Sequence, residues 1–346
     1  MAHVPRPIRQ ARDAIRAALP PNSSSHHLAI ACSGGADSLA LAATAQFLAQ
    51  RHNWQLSAFV IDHALQPGSD AVAQTAADTL NRIGIEHVVI QRVSVAQGAG
   101  NGGPENAART ARYAALDHLA DTHNVDNILL GHTLDDQAES VLLGLARGSG
   151  SRSLAGIRPH TGRYLRPFLD ITRRDTEAIC ELLGIPYWVD PTNLDHSPNG
   201  PLRSQVRGRV LPLLDDVLGP GIARTLARTA RQLHDDAHAL EQWAERTLTA
   251  SQEAAHLSLT APPNHCDVVV ALDIPTLCDV PAAVRHRALR AAAREAGAPA
   301  GELSMRHIDA MDALVTQWRG QGETHLPTAI AVARQSSMLV FTRPTV

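Results

Sequence analysis

The sequence predicts an α/β protein: a parallel sheet with helices on both faces, followed by a mainly helical second part with a few terminal strands. Between residues 27 and 150, four short apolar runs alternate with stretches of helical character. This alternation is typical of a parallel sheet covered by helices on both faces. The chain has 346 residues, which is long for a single core, so two domains are expected.

The four predicted strands set the framework of the first domain. They are HLAIACSG, LSAFVID, HVVIQRV and DNILLGH, at residues 27–34, 56–62, 87–93 and 126–132. A helical stretch follows each of the first three, and another begins near Leu134. Ligands of such sheets bind where the strands end, so functional residues are expected at those ends.

The remainder of the chain has a different pattern. From Ile171 onward it indicates helices, interrupted by a loop rich in Pro, Asn and Asp at residues 188–201. Two helices and then short strands are expected near its end, at residues 281–297, 303–318 and 325–342. We place the domain boundary near Asp215, which gives domains of residues 1–215 and 216–346.

The composition excludes several classes of protein. Hydrophobic residues make up 44% and charged residues 19%, as in a soluble globular chain. All 31 cationic residues are Arg, which excludes a Walker-A lysine or a Schiff-base lysine. The four cysteines form no C-x-x-C pair, which disfavours a thioredoxin site or an iron–sulfur cluster. No segment has the ~20 apolar residues that span a bilayer, so a cytoplasmic protein without a membrane partner is expected.

Charge is distributed unevenly along the chain. The net charge is −3, yet residues 151–234 contain 12 Arg and 8 acidic residues. A polyanionic partner would be steered toward this basic part. A solvated helix face with paired acids explains the same counts and remains an alternative.

The strongest motif is a glycine turn between the first predicted strand and the helix after it, Ser33-Gly34-Gly35-Ala36-Asp37-Ser38. Paired glycines allow a tight turn close to a ligand, and the free N–H groups at a helix start favour an anion. Asp37 would repel phosphate unless Mg²⁺ lay between them, so we interpret it as a magnesium ligand. An ordinary turn with helix-capping Asp and Ser is the alternative.

The SGGxDS pattern resembles the pyrophosphate loop of the N-type ATP pyrophosphatases. That resemblance implies that the six residues of the loop, together with His63 at the end of the second strand, bind ATP. It also implies cleavage between the α- and β-phosphates, with transfer of AMP to an oxygen of the substrate.

A second group of polar residues follows the fourth strand. His132, Asp136 and Glu139 have i, i+4, i+7 spacing, so a helix would place them on one face. One His and two carboxylates facing a cleft suit a cation, either a metal or an alkylammonium group. Helix capping plus surface salt bridges is the alternative. Arg109 and Arg112 lie on an earlier predicted helix, on a face shared with Glu105.

Taken together, the ordered motifs resemble the tRNA(Ile)-lysidine synthetase family. They are the glycine loop, the E-x-x-x-R-x-x-RY helix, GHTLDDQAES, RGSG (147–150), RPFL (166–169), DPTN (190–193) and RSQVR (203–207). The family commonly has Thr where Ser140 stands and Asn where Ser204 stands.

The resemblance implies an activity. ATP would adenylate O2 of the wobble cytidine of the isoleucine tRNA with a CAU anticodon, and free L-lysine would then displace AMP to give lysidine. Asp136 and Glu139 would bind lysine, and His132 would remove a proton or contact ATP. Arg109 and Arg112 would stabilise developing anionic charge or touch tRNA phosphates.

The resemblance also suggests partners and cofactors. ATP would be a substrate, and Asp37 would bind Mg²⁺. The partners would be the isoleucine tRNA and free L-lysine, and a homodimer is one possible assembly. The predicted tRNA contacts are arginines with i, i+4 spacing, for which a solvated helix face is the alternative: Arg203, Arg207, Arg224 and Arg228.

Three rival functions remain at this stage. A tRNA thiolase shares the loop but needs a persulfide or an iron–sulfur cluster. Amide synthetases share it but draw ammonia from glutamine or from solution. A non-catalytic nucleotide-binding module explains the glycine turn but not the His132, Asp136 and Glu139 group. Pyrophosphate release that depends on both tRNA and lysine would distinguish the lysidine synthetase activity from these three rival functions.

Overall fold

The computed structural model describes most of the chain, in two compact units. The described residues are 4–20, 27–64, 68–93, 103–148, 153–258 and 267–343. Ser149 and Gly150 of the RGSG run and the side chain of Glu105 lie outside this description. The two units are Met1–His234 and Asp235–Val346, a division later in the chain than Asp215.

The first unit contains a six-stranded sheet. Its strands are β1 (His27–Cys32), β2 (Gln55–Asp62), β3 (His87–Arg92), β4 (Asn127–Leu130), β5 (His160–Thr161) and β6 (Tyr164–Leu165). They lie in the order β3-β2-β1-β4-β6-β5, and every neighbouring pair is parallel except β5 with β6. The parallel α/β fold predicted for this part of the chain is therefore confirmed. The short β5–β6 hairpin was not predicted.

Among the described residues up to Leu182, six α-helices precede, connect or follow the strands of this sheet. They are α1 (Arg6–Ala18), α2 (Ala36–His52), α3 (Ser69–Ile83), α4 (Gly103–Thr122), α5 (Leu134–Ala146) and α6 (Arg173–Leu182). The central strand β1 is apolar from Leu28 to Cys32, and Leu28, Ala29 and Ile30 have no exposed surface. Such a strand is buried on both faces, as its neighbours in the cores show: Ile30 packs in a cluster with Leu41, whereas Ala29 packs in another with Leu116.

The strand order positions the ligand site. β1 lies between β2 and β4, so the chain leaves it in one direction for β2 and returns on the other side at β4. A crevice forms at the carboxyl ends of two strands where the chain order reverses in this way. The glycine turn follows β1 and the His132 segment follows β4, so both open on this crevice.

The segment after α6 is less regular. It contains α7 (Pro191–Leu194), α8 (Leu202–Gln205), a π-helix (Val206–Val210), α9 (Leu211–Leu218) and α10 (Ile222–Ser258). The short helix α7 lies within the loop predicted at residues 188–201. The π-helix was not predicted from the sequence, and π turns are rare and frequently occur at functional sites.

The second unit is an antiparallel sheet with helices. Its strands are β7 (Asp267–Asp273), β8 (Thr324–Leu326), β9 (Ile330–Gln335) and β10 (Met338–Arg343), in the order β7-β10-β9-β8. Its further helices are α11 (Ile274–Cys278), α12 (Ala282–Glu295) and α13 (Met305–Thr316). The predicted helices and terminal strands are confirmed, whereas β7 was not predicted. None of the described helices is both long and apolar enough to cross a bilayer.

Candidate active site

The glycine turn after β1 has a backbone that only glycine adopts without strain. Gly34 has φ of +81°, and a Cβ at this position would lie 3.1 Å from the Cβ of Ala76 in α3. The Ser38 hydroxyl donates to the carbonyl of Gly35 at 3.0 Å and accepts from the Ser33 N–H at 3.2 Å. Ser38 therefore fixes the shape of the turn, while Ser33 is exposed.

The turn leaves the start of α2 open to an anion. Gly35 is the N-cap, and no side chain accepts from the first N–H groups of this 17-residue helix. These donors and the helix dipole together attract a negatively charged group. Ala36, Asp37 and Ser38 are the first three helical residues, so the predicted loop lies where a phosphate would be bound.

Two neighbouring segments hold the turn in place. The Trp188 N–H donates to the Gly34 carbonyl at 2.9 Å. On the other side, a Cβ on Gly131 would lie 3.1 Å from the backbone of Asp37, so the end of β4 approaches the turn as closely as a glycine permits.

Two cavities meet at this turn. The first, of about 450 Å³, is lined mainly by apolar side chains at the end of β2 and the start of α3, with His63 among them. The second, of about 530 Å³, contains Asp37, His132 and Asp136 together with several arginines. The two cavities share wall residues, namely Ala31, Ser33, Arg112, Trp188 and Asp190. Residues that were predicted from separate motifs thus line one continuous region of the first unit.

Asp37 is held by two residues that sequence reasoning missed. Arg173 Nε lies 3.4 Å from Asp37 Oδ2, and the Thr176 hydroxyl donates to Asp37 Oδ1. Burial raises the pKa of Asp37 to about 6, although Arg173 and Thr176 act in the opposite direction. The run Thr172 to Asp175 is a capping box that marks the start of α6, but a local signal of this kind does not tell which strand end the helix faces.

Asp136 has a structural and an electrostatic role at once. It forms a capping box with Thr133, whose backbone N–H and hydroxyl donate to Asp136 Oδ2 at 2.8 and 3.0 Å. The other oxygen, Oδ1, lies 3.3 Å from Arg173 Nη2. Burial acts to raise the pKa of Asp136, but Arg173 and the Thr133 hydrogen bonds outweigh it and lower that pKa. Asp136 is therefore an anion that faces the second cavity.

Two histidines at the cavity walls have an unsatisfied ring nitrogen. Nδ1 of His63 and Nδ1 of His132 are buried without a hydrogen-bond partner among the described atoms. Burial lowers the pKa of His132 to about 3, even though Asp136 favours its protonation. Buried polar atoms normally find a partner, so an unpaired atom beside a cavity indicates a place for a ligand group.

Glu139 is fully buried and is paired with arginines. Its Oε1 accepts from Arg207 Nε at 2.7 Å, and its Oε2 lies 3.7 Å from Arg203 Nη1 without a hydrogen bond. Burial raises the pKa of Glu139, and Arg207 opposes that shift. The structure brings Glu139 and Asp136 together as predicted from their spacing, but it places two of the predicted tRNA-contacting arginines against them.

Arg109 and Arg112 have different surroundings. Arg109 is exposed and lies over the ring of Tyr113, 5.0 Å from its centroid. Arg112 lines both cavities, and burial lowers its pKa. Among the described side chains no carboxylate forms an ion pair with Arg112; the groups acting on it are Tyr113, Arg109, Cys32 and Tyr164. A partly buried guanidinium with no described carboxylate beside it suits an anionic ligand.

The remaining predicted residues lie outside the cavities. Arg224 and Arg228 are exposed on α10, one helical turn apart. Within the described ranges, no three His, Cys, Asp or Glu side chains are grouped so that they would hold a metal ion by themselves.

The fold and the turn together define a class of protein. A parallel sheet whose first strand leads through SGGxDS into an uncapped helix is a PP-loop nucleotide-binding domain, and a family model of that description, ATP_bind_3, matches residues 8–214. A second model, the TilS substrate binding domain, matches residues 272–339.

Curated relatives identify the family within that class. The chain is 46% identical to the tRNA(Ile)-lysidine synthase of Thermobifida fusca, over 98% of this chain and 99% of the relative. It is 42% identical to that of Salinispora tropica, over 99% of both chains. The chain belongs to the tRNA(Ile)-lysidine synthase family.

A solved structure has a related fold. The U34-tRNA thiolase NcsA from Methanococcus maripaludis, described with its [4Fe-4S] cluster, matches with a TM-score of 0.54 at 20% identity. The match covers 66% of this chain and 79% of the thiolase. At this identity the similarity concerns the fold alone.

Proposed function

We propose that this chain is an ATP-dependent ligase that joins L-lysine to C2 of the wobble cytidine in the CAU-anticodon isoleucine tRNA. Its family membership and its PP-loop domain support the ligase activity, the use of ATP and tRNA(Ile) as substrate. One observation supports the chemistry in particular: the open start of α2 and the carboxylates of Asp37 and Asp136 line the same cavity.

The two cavities suit the two ends of ATP. The apolar cavity at the end of β2 has the size and lining for the adenosine, with His63 Nδ1 free to bond it. The phosphates would then reach the N–H groups of Gly35 to Ser38 and the guanidinium of Arg112. In this arrangement Arg112 contacts the α-phosphate region and stabilises the charge that develops when pyrophosphate leaves.

Magnesium fits the donors at the start of α2. Mg²⁺ is usually bound by one or two carboxylates together with substrate phosphates. Asp37 is a carboxylate placed beside the anion site, so it would hold the ion. When bound, the ion neutralises charge on the phosphates.

The reaction proceeds in two displacements. O2 of the cytosine attacks the α-phosphorus, pyrophosphate leaves, and the adenylated oxygen becomes a good leaving group. The side-chain nitrogen of lysine, after losing a proton, then attacks C2, and AMP departs with O2. The products are lysidine, AMP and pyrophosphate.

The second displacement needs a cation site and a proton acceptor. Asp136 and Glu139 supply two carboxylates for the lysine ammonium group. His132 is neutral at physiological pH because burial lowers its pKa to about 3, so it can accept a hydrogen bond from the amine through Nδ1 but does not serve as a proton donor. This favours hydrogen-bond acceptance from the amine or from ATP for His132, because an imidazole with so low a pKa is a weak acceptor of the proton itself.

Transfer RNA recognition is divided between the parts of the chain. We assign nucleotide chemistry to residues 1–215 and substrate binding to residues 216–346, where the TilS substrate binding model matches. Arg224 and Arg228 are exposed and available for phosphates. Arg203, half exposed beside Glu139, and Arg207 would contact RNA near the wobble base. The homodimer and the cytoplasmic location stay predictions.

Mass spectrometry of nucleosides tests the proposal. The chain is incubated with ATP, Mg²⁺, L-lysine and a transcript of the CAU-anticodon isoleucine tRNA. The expected product is a cytidine heavier by a lysine residue, with pyrophosphate released only when the tRNA is present and AMP released when lysine then attacks. Unmodified cytidine, or a nucleoside that carries sulfur, would contradict the proposal and favour a rival PP-loop activity.

A further inference from the structure

The acidic pocket proposed for lysine already contains cations of the protein itself. Arg207 Nε donates to Glu139 Oε1 at 2.7 Å, and Arg207 Nη2 lies 3.7 Å from Asp136 Oδ1. One guanidinium thus spans both acids. Arg173 and Arg203 also lie within 3.3 and 3.7 Å of these carboxylates.

The charges in the pocket do not leave room for another cation. Together with Asp37, which also pairs with Arg173, three carboxylates face three guanidinium groups, so the ammonium group of lysine would enter a site whose negative charge is already compensated. A buried cation without a counter-ion is strongly unfavourable. Binding of the ammonium group therefore requires that one arginine leave the carboxylates.

Arg207 is the arginine with the fewest other attachments. Arg173 also binds Asp37, and its backbone N–H donates to Asp135 Oδ2 at 2.7 Å, so it is fixed at the start of α6. The only described acids near Arg207 are Glu139 and Asp136. Its backbone lies in the π-helix at Val206–Val210, a wide turn that is less stable than an α-helix and contains Gly208.

The acceptors that Arg207 would vacate match an ammonium group. Asp136 Oδ2 is committed to the capping box, which leaves Oδ1. Glu139 adds Oε1 and Oε2, and Oε2 has no hydrogen-bond partner in this state. Three oxygens then face a group with three N–H donors.

We infer that Arg207 is a built-in counter-ion that occupies the lysine ammonium site and is displaced when L-lysine binds. This inference rests on the proposed function and adds to it a residue that sets lysine affinity. The exchange keeps the buried acids paired at all times. It also disfavours ligands that lack the ammonium group, because such a ligand cannot replace the guanidinium.

Titration calorimetry with L-lysine on the full chain, without ATP or tRNA, tests the exchange. Arg207→Met keeps the length of the stem but removes the charge, so it should bind lysine at least about fivefold more tightly than the wild type, because no internal occupant has to be displaced. Arg207→Lys supplies its own ammonium group and should bind lysine no more tightly than the wild type. L-norleucine should bind to none of them.

Arg163→Met is the matched control. Arg163 pairs with Asp121 at 2.7 Å, at the opposite ends of the strands from the cavities. Removing the Arg163 guanidinium should change lysine affinity by less than about twofold, because this partly exposed ion pair is distant from the lysine site. Equal or weaker binding by Arg207→Met than by the wild type would overturn the inference.

A measurement on the wild type covers the case in which Arg207→Met does not fold. The Nε–H resonance of Arg207, assigned with Arg207→Lys, should be protected from exchange in the free chain and lose protection with saturating L-lysine. Protection that persists with lysine bound would overturn the inference. If lysidine forms in the nucleoside assay while either test fails, only the exchange is wrong; if no lysidine forms and lysine does not bind, the proposed function is wrong as well.

Discussion

Arg173 binds Asp37 across 136 positions of sequence, with its Nε 3.4 Å from Asp37 Oδ2. The contact joins the start of α6 to the start of α2 and places a guanidinium beside the predicted magnesium ligand. Even with this partner, burial raises the pKa of Asp37 to about 6.

Asp37→Asn should stabilise the protein at neutral pH while abolishing pyrophosphate release. The pKa of Asp37 is higher in the folded chain than its usual 3.8, so the folded state binds the proton more tightly. The stability that this group contributes is therefore present below about pH 4 and is lost as the pH rises through about 6. Asparagine does not ionise, so the variant avoids the destabilisation caused by the charged carboxylate at high pH. Its Tm at pH 8 should therefore rise by roughly 2–4 °C for each kcal/mol of stability gained.

Thermal unfolding between pH 4 and 8 measures this effect. The advantage of Asp37→Asn over the wild type should shrink toward pH 4. Asp121→Asn, an exposed carboxylate paired with Arg163, should show no such trend. A Tm for Asp37→Asn below that of the wild type at every pH would contradict the prediction.

Gly34→Ala should lower ATP affinity by at least about tenfold. A left-handed backbone costs a non-glycine residue about 1–2 kcal/mol, and here the new Cβ also meets Ala76 at 3.1 Å. The turn must then shift, and its N–H groups no longer converge on the phosphates.

ATP titration of Gly34→Ala and of Gly162→Ala distinguishes the effect of the close contact with Ala76 from the effect of a strained left-handed backbone. Gly162 has φ of +57° and would meet nothing within 4 Å, so it carries the strain alone. The control should bind ATP as the wild type does. If both variants lost ATP affinity equally, the close approach to Ala76 would not matter.

Arg112→Met should weaken ATP binding by about tenfold or more without lowering the Tm. The guanidinium has no acid partner among the described side chains, so its removal relieves a desolvation cost while the phosphates lose a charged donor, an interaction of about 1.5–3 kcal/mol. Arg163→Met, in which a paired guanidinium is removed, provides the comparison. A large fall in Tm with unchanged ATP affinity would assign Arg112 a structural role instead.

His132→Gln should flatten the pH dependence of stability between pH 5 and 7. Burial lowers the pKa of His132 to about 3, while in the unfolded chain the usual value is 6.5. Between these values only the unfolded state binds the proton, so stability falls as the pH drops below 6.5. Glutamine has no such ionisation.

Chemical denaturation at pH 5, 6 and 7 measures the slope for His132→Gln and for His52→Gln. His52 stacks on Trp54 at the end of α2, away from the cavities, and its replacement should leave the slope of the wild type. A slope unchanged by His132→Gln would mean that His132 takes up its proton in the folded state.

Some features of the site follow from short stretches of sequence. The β–α alternation and the turn at Gly34 are encoded within a few residues, because strand burial, positive φ and helix starts depend on neighbours along the chain. The spacing of Asp136 and Glu139 places both on α5 for the same reason. The fold class and the family resemblance were predicted correctly on this basis.

Other features were decided by the tertiary structure. Arg203 and Arg207 have the spacing of a basic helix edge, yet Arg207 lies within the π-helix and reaches Glu139, 68 positions away. Arg173 and Thr176 were not predicted at all, since nothing near them in sequence refers to Asp37. Which charges meet depends on the order of strands in the sheet and on the desolvation of groups buried between them. Sequence spacing does not contain either quantity, because both arise only when distant segments pack together.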